Sequence, residues 1–200
     1  MRLATKQDKE LVLRLLYISY KENSSVLWVV KNDHKQEERI KALFSYCFDV
    51  CLAIDGIYIS EDNQGLAFLF PIEKRKPSIM QQLKVVFNAM GLKKGLQALK
   101  REKFIDSHRP NGGYLYFWML AVDPEARGGE TIRKIVAFCF KQAKEQKKDI
   151  YAETSIRQNK IVYERLGFET YYQWDIPKQD FCIWFLKRSW EDNSYDCLSN

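Results

Sequence analysis

The chain is short of the residues that cross-link, coordinate or punctuate. Its five cysteines are an odd number and form no CxxC pair, so neither a disulfide framework nor a zinc motif is indicated. Cys47, Cys139 and Cys182 sit inside apolar periodic segments and read as reduced core cysteines. The two histidines, His34 and His108, lie far apart and have no neighbouring cysteine, so no metal site is expected. With five prolines and nine glycines, the chain shows no low-complexity tract and no internal repeat. No apolar run approaches the roughly 20 residues of a membrane-spanning helix. The N-terminus, MRLATKQDKELVLRL, has no long apolar core of a secretory signal. These absences lead us to expect a cytoplasmic protein.

The composition is that of a globular protein, 46% hydrophobic, 29% charged and 14% aromatic. Two hundred residues suffice for one domain with its own core, expected over 1–190, with a helical insertion at 77–106 and a loose tail at 191–200. The net charge of +6 suits a polyanionic ligand without naming one. Lys74-Arg75-Lys76 and Lys93-Lys94 have no interleaved aromatics and no surrounding binding motif. They read as solvated faces, and neither a nucleic acid nor a membrane is expected as a partner.

One stretch organises the rest. Tyr114 to Val122 is an uncharged, aromatic-rich run bounded by Gly113 and by Asp123-Pro124, as a strand buried on both faces requires. A loop with Arg127, Gly128 and Gly129 follows. Then Ile132, Ile135, Val136, Cys139 and Ala143 mark the core-facing stripe of a helix. Ile150 to Thr154 reads as a second strand, parallel to the first because a crossover helix separates them. The two strands are expected to splay near Val122. A short helix ends at Gly167, a suitable left-handed C′ residue.

Upstream, Met1 to Ala4 reads as a short strand and Thr5 as an N-cap, followed by a helix to about Tyr20. Val26 to Val30 is ambiguous. Gln36 to Val50 is helical, with Ile40, Leu43, Phe44 and Cys47 on one face. Cys51 to Ile59 reads as a strand, turning at 61–65 into a returning strand, Leu66 to Phe70. Pro77 to Asp106 is helical, with one stripe of Ile79, Leu83, Val86 and Met90 and another of Leu92, Leu96 and Leu99, divided at Gly91. Glu169 to Trp174 and Phe181 to Lys187 read as two further strands.

The segment Val122-Asp123-Pro124-Glu125-Ala126-Arg127-Gly128 is similar to the strand-to-loop motif of the GNAT superfamily, the acyl-CoA-dependent N-acyltransferases. The block Glu153-Thr154-Ser155, Asn159 and Tyr163-Glu164-Arg165-Leu166-Gly167-Phe168 resembles that family's "ETS…N…YERLGF" ending. The resemblance implies an α/β (α+β) fold: a central mixed, mostly antiparallel sheet with a parallel central pair, flanked by helices. It also implies acetyl-CoA as co-substrate and direct attack by a primary amine of a small molecule or peptide.

The resemblance implies site residues too. Backbone at Leu120, Ala121 and Val122 would meet the cofactor, with Arg127, Gly128, Gly129, Glu130, Thr131 and Ile132 forming the diphosphate loop. Asn159 would face the pantetheine arm, although as a residue it could equally be an N-cap. Tyr163 would protonate the leaving thiolate. A phenol is protonated at neutral pH and can donate. The alternative for Tyr163 is packing alone. Glu153 is the carboxylate nearest the expected splay and the candidate general base. Trp118, Tyr114 and Tyr116 either line an acceptor pocket or fill the core.

One departure matters. Counted from Arg127, the family's loop glycines fall on Glu130 and Ile132. A glutamate there brings like charge toward phosphates, so Glu130→Gly is expected to tighten binding. If Glu130 turns outward, it merely complements the helix dipole. A GNAT-fold protein that binds a ligand or partner without catalysis is therefore the competing reading.

Overall fold

The computed structural model describes residues 1–126 and 129–193. In chain order it contains β1 (Arg2–Leu3), α1 (Lys9–Tyr20), α2 (Ser24–Val29), α3 (Gln36–Leu52), β2 (Ile57–Ile59) and β3 (Gly65–Pro71). Next come α4 (Ile79–Val85), α5 (Gly91–Ser107), β4 (Leu115–Val122), α6 (Glu130–Gln146), β5 (Ile150–Thr154), α7 (Arg157–Arg165), β6 (Glu169–Asp175) and β7 (Cys182–Arg188). The seven strands form one sheet in the order β1-β2-β3-β4-β5-β7-β6. All neighbours are antiparallel except β4 and β5, which are parallel. This is the mixed, mostly antiparallel sheet with a parallel central pair that the sequence implies.

Helices cover both faces of β4, which explains its uninterrupted apolar run. Tyr114, Tyr116 and Ala121 face a core built from α1 and α3, including Leu15, Phe44 and Phe48. Leu115, Phe117 and Val122 face a second core with Ile135, Val136, Cys139, Phe140 and Ala143 of α6. The α6 stripe is the one the sequence marks, with Phe140 added.

Two features shape the site. β4 carries a bulge: Phe68 of β3 faces Met119 and Leu69 faces Phe117, so Trp118 is the extra residue. The parallel pairing is also short, only Leu115 with Ile150 and Tyr116 with Tyr151. The strands therefore part from Phe117 onward, well before Val122, where the sequence reading set the splay. β5 stays paired with β7 along its whole length, from Ile150–Arg188 to Thr154–Trp184. β4 likewise stays paired with β3 as far as Val122, so the sheet opens between β4 and β5.

The expected strand Cys51 to Ile59 is corrected. α3 continues through Leu52 because Cys51 extends its buried stripe one turn beyond Cys47. Asp55 (φ 53°) turns the chain, and only Ile57–Ile59 pairs as a strand. Gly56 is needed there, since a Cβ would lie 2.9 Å from the Phe70 ring. The ambiguous Val26–Val30 region is mostly helix α2, capped by Asn23, whose side chain accepts from the N–H groups of Ser25 and Val26. The stretch expected as an insertion, 77–106, folds as α4, a π-helical turn (Val86–Met90), and α5, reversed at Gly91 with φ 72°.

Candidate active site

The gap left by β4 opens onto a cavity of about 680 Å³ on the α6–α7 side of the sheet. Leu120 and Val122 of β4 form one wall, Ile132, Arg133 and Val136 of α6 the second, and Asn159, Val162, Tyr163 and Leu166 of α7 the third. Ser19 and Tyr20, at the end of α1, close the far side. The walls are mostly apolar with a few polar groups, the usual make-up of a small-molecule site.

The sequence-expected residues divide clearly. Leu120, Val122, Ile132, Asn159 and Tyr163 all line this cavity. Ala121 is buried toward the opposite core. Asn159 is not the N-cap of α7, because Ile156 holds that position, and it lines the cavity. The Glu130 side chain is 78% exposed and pairs with Lys134 at 2.9 Å, so it turns outward along the helix surface. The Thr131 hydroxyl donates to Asp62 Oδ2 at 2.6 Å and ties the α6 N-terminus to the β2–β3 turn. Gly129 is the N-cap, and a Cβ there would lie 3.3 Å from the Ala126 carbonyl oxygen. Arg127 and Gly128 lie outside the described residues.

Tyr163 stands edge-on to Phe117 (centroids 6.1 Å apart) and against Phe168 (5.2 Å). Burial raises its phenol above the ordinary value, with Tyr20 and Cys139 adding to the shift, so the proton is held firmly near neutral pH.

Tyr20 is the residue that the sequence reading missed. Its hydroxyl donates to the Leu120 carbonyl at 2.9 Å and accepts from the Leu120 N–H at 3.1 Å. One phenol thus satisfies both backbone groups that the splay leaves without a strand partner. Burial pushes its pKa up to about 12, opposed by its hydrogen bond to Leu120. Nothing local in the sequence signals this contact, because the partners are 100 residues apart.

Glu153 lies on the other face. Arg109 grips it with two hydrogen bonds, 2.8 Å to Oε1 and 2.9 Å to Oε2, and the Tyr116 hydroxyl donates to Oε2 at 2.7 Å. The side chains are nearly covered, 3% exposed for Arg109 and 9% for Glu153. Arg109 also pairs with Asp106, while Arg75 pairs with Glu102 and lies over the Trp118 ring at 4.6 Å. Burial raises the Glu102 carboxyl, but Arg75 and Arg109 outweigh it and hold the group below its ordinary value. Tyr116 and Trp118 are therefore packed beneath guanidinium groups in this cluster, which the sequence could not assemble because Arg75 and Arg109 flank the α4 and α5 helices, 34 residues apart.

No family model matches the sequence, and no curated protein matches it. Solved structures do. One is an acetyltransferase from Corynebacterium glutamicum described as histone acetyltransferase HPA2 and related, with 17% identity, 94% coverage of each chain and a TM-score of 0.65. Another is the C-terminal condensation domain of Ebony in complex with β-alanyl-dopamine, at 11% identity, covering 94% of this chain and 97% of that one, with a TM-score of 0.67. A third is mosquito arylalkylamine N-acetyltransferase-like 5b, at 16% identity, covering 94% and 98%, with a TM-score of 0.58. The chain has the fold of the GNAT acetyltransferases.

Proposed function

We propose that the cavity beside β4 binds acetyl-CoA and that the protein transfers the acetyl group to a primary amine of a small molecule or peptide. The observation that carries this reading is the open edge of β4 beyond Tyr116, lying in a cavity whose rim is the N-terminal turn of α6. The pantetheine arm would run along that edge at Leu120 to Val122, with Asn159 across from it. The diphosphate would lie against the N–H groups from Gly129 to Ile132, which point outward at a positive helix terminus. Arg127 and Gly128 complete the loop in this reading. The outward turn of Glu130 leaves those amides accessible.

In the reaction, the neutral amine nitrogen attacks the thioester carbonyl carbon, a C–N bond forms and the C–S bond breaks. The Leu120 N–H is the donor best placed for the oxyanion. It is held by Tyr20, so the phenol must give way or share the charge as a second donor. Tyr163 then gives its proton to the departing thiolate, and the proton that the amine nitrogen sheds returns to the phenolate through solvent, so the phenol is restored. Glu153 accepts three hydrogen bonds from Arg109 and Tyr116, an arrangement that favours a structural ion pair over a free base. We place the acceptor on that face, toward Trp118. The mosquito neighbour, named for arylalkylamines, supports a small amine as acceptor. A cytoplasmic location fits the supply of acetyl-CoA.

Tyr20 also favours a second reading, a ligand-binding protein without transfer, because it already satisfies the groups that a substrate would use. Thiol release from acetyl-CoA across a panel of aryl- and alkylamines separates the two. The proposal expects amine-dependent release. Acetyl-CoA binding without release on any amine would leave only the second reading.

A further inference from the structure

The insertion does not behave as its periodicity suggests. Leu92, Leu96 and Leu99 face outward, as do Ile79 and Leu83 of the first stripe, whereas Val86 meets Gly95 and Met90 packs on the core. Ten large apolar side chains are exposed among the described residues, and seven of them lie between Ile79 and Leu99. Ile79, Leu83 and Phe87 on the first arm and Leu92, Leu96 and Leu99 on α5 are from 47% to 77% exposed. The two arms reverse at Gly91 and meet where Gly95 lies against Val86; a Cβ on Gly95 would come within 3.0 Å of the Val86 methyls. Leu83 and Phe87 stand three residues before and one after Val86. Leu92 and Leu96 stand three before and one after Gly95. On arms running in opposite senses, equal offsets from the contact line turn both stripes to the same face. The result is one apolar face made from two helices.

Charge accompanies it. From Lys74 to Arg101 there are eight basic residues and no acidic one, whereas the whole chain has a net charge of only +6. Lys84, Lys93 and Lys100 occupy positions beside the stripe on the side away from the contact between the arms, and Lys103, four residues after Leu99, continues its line. The residues that hold the insertion down are different ones. Arg101 donates to Ser25 and lies over Trp28, Lys94 donates to the Trp28 carbonyl at 2.5 Å, and Arg75 pairs with Glu102. The outward lysines are therefore not the ones that secure the fold. An apolar stripe flanked by lysines, without acids, is the pattern of a helix lying in a bilayer interface. No described helix is long and apolar enough to cross a membrane.

We infer that the α4–α5 insertion docks the protein on the surface of an anionic lipid membrane, its apolar face entering the headgroup region and its lysines meeting lipid phosphates and carboxylates. Docking would concentrate the protein at a membrane without involving the cavity beside β4, so the inference stands apart from acyl transfer.

The test is flotation of the full chain with phosphatidylcholine vesicles, with and without about one-third phosphatidylserine. The protein should float with the anionic vesicles and stay behind with the neutral ones, and salt should weaken the association. Replacing Lys93, Lys100 and Lys103 by Ser should weaken partitioning by on the order of a hundredfold, at about fivefold for each lysine near the surface. The variant L92E/L96E/L99E should lose vesicle binding and keep its circular dichroism and Tm, because all three side chains are exposed. Failure of the parent to float, or undiminished floating of both variants, overturns the inference. Absence of floating together with a dimer that L92E/L96E/L99E turns into a monomer would assign the face to a second copy of the chain instead.

Discussion

The two faces of the sheet at β4 handle their polar groups in opposite ways. On the α1–α5 side, the guanidinium groups of Arg75 and Arg109 pair with the carboxylates of Glu102, Asp106 and Glu153, and the Arg109–Glu153 pair is covered. On the α6–α7 side, the groups around a roughly 680 Å³ cavity are mostly apolar, with Asn159 and the phenols of Tyr20 and Tyr163 among the few polar ones. The first face is filled by paired charges. The second keeps space and neutral donors. A site that must stabilise a transient anion without holding a permanent one requires the second arrangement.

Substitutions sharpen this contrast. The largest effect is expected from Tyr163→Phe, which removes a hydroxyl and keeps the ring against Phe117 and Phe168. Turnover should fall about 10²–10⁴-fold in kcat and kcat/KM together, with acetyl-CoA affinity within a few-fold and Tm little changed. A variant as active as the parent would limit Tyr163 to packing. On the opposite face, Glu153→Ala should act on stability instead. It leaves a covered Arg109 without its main partner, at about 3–5 kcal/mol in urea unfolding. Glu153→Gln keeps the shape, should cost less, and should leave an active enzyme. A stable but inactive Gln variant would return Glu153 to the role of base.

Smaller effects should follow where the two faces meet. Tyr20→Phe leaves the Leu120 N–H and C=O without a protein partner, at about 1–3 kcal/mol of stability. It also frees both groups for a substrate, so KM for acetyl-CoA should fall. A rise in KM would mean that the Tyr20 hydroxyl itself contacts the substrate. The smallest change should be at Glu130. The like-charge argument from sequence predicts tighter binding for Glu130→Gly, but the side chain points away and pairs with Lys134. Calorimetry should therefore find affinity within about twofold and stability lower by roughly 0.5–1 kcal/mol, the cost of glycine in a helix.

What was legible in the sequence was local. β5 is found at Ile150–Thr154 as expected, and Gly167 has the positive φ (86°) of a C′ residue. The α6 stripe follows from periodicity, and β4 from its continuous apolar run and the residues that bound it. Five of the residues that the resemblance marks for a cofactor line one cavity, because the fold that the resemblance implies is the fold observed. What was not legible depends on distant partners. Cys51 has the composition of a strand, yet it completes a helical stripe whose burial is decided by the core around Phe44 and Phe48. The Tyr20–Leu120 pair and the Arg109–Glu153 pair join elements far apart in the chain. Leu92, Leu96 and Leu99 show a helical period, but a period does not reveal whether a face meets protein or solvent.

The central claim is that the open edge of β4 holds acetyl-CoA. Its most direct test is thermal unfolding of the parent and of Val162→Trp, a cavity-wall side chain 46% exposed and thus replaceable without disturbing the core. At about 100 times its Kd, acetyl-CoA should stabilise the parent by about 2.7 kcal/mol, free CoA should stabilise it to a similar degree, and ATP should have little effect. The filled cavity of the variant should abolish the shift. No shift in the parent, or an undiminished shift in Val162→Trp, would contradict the claim.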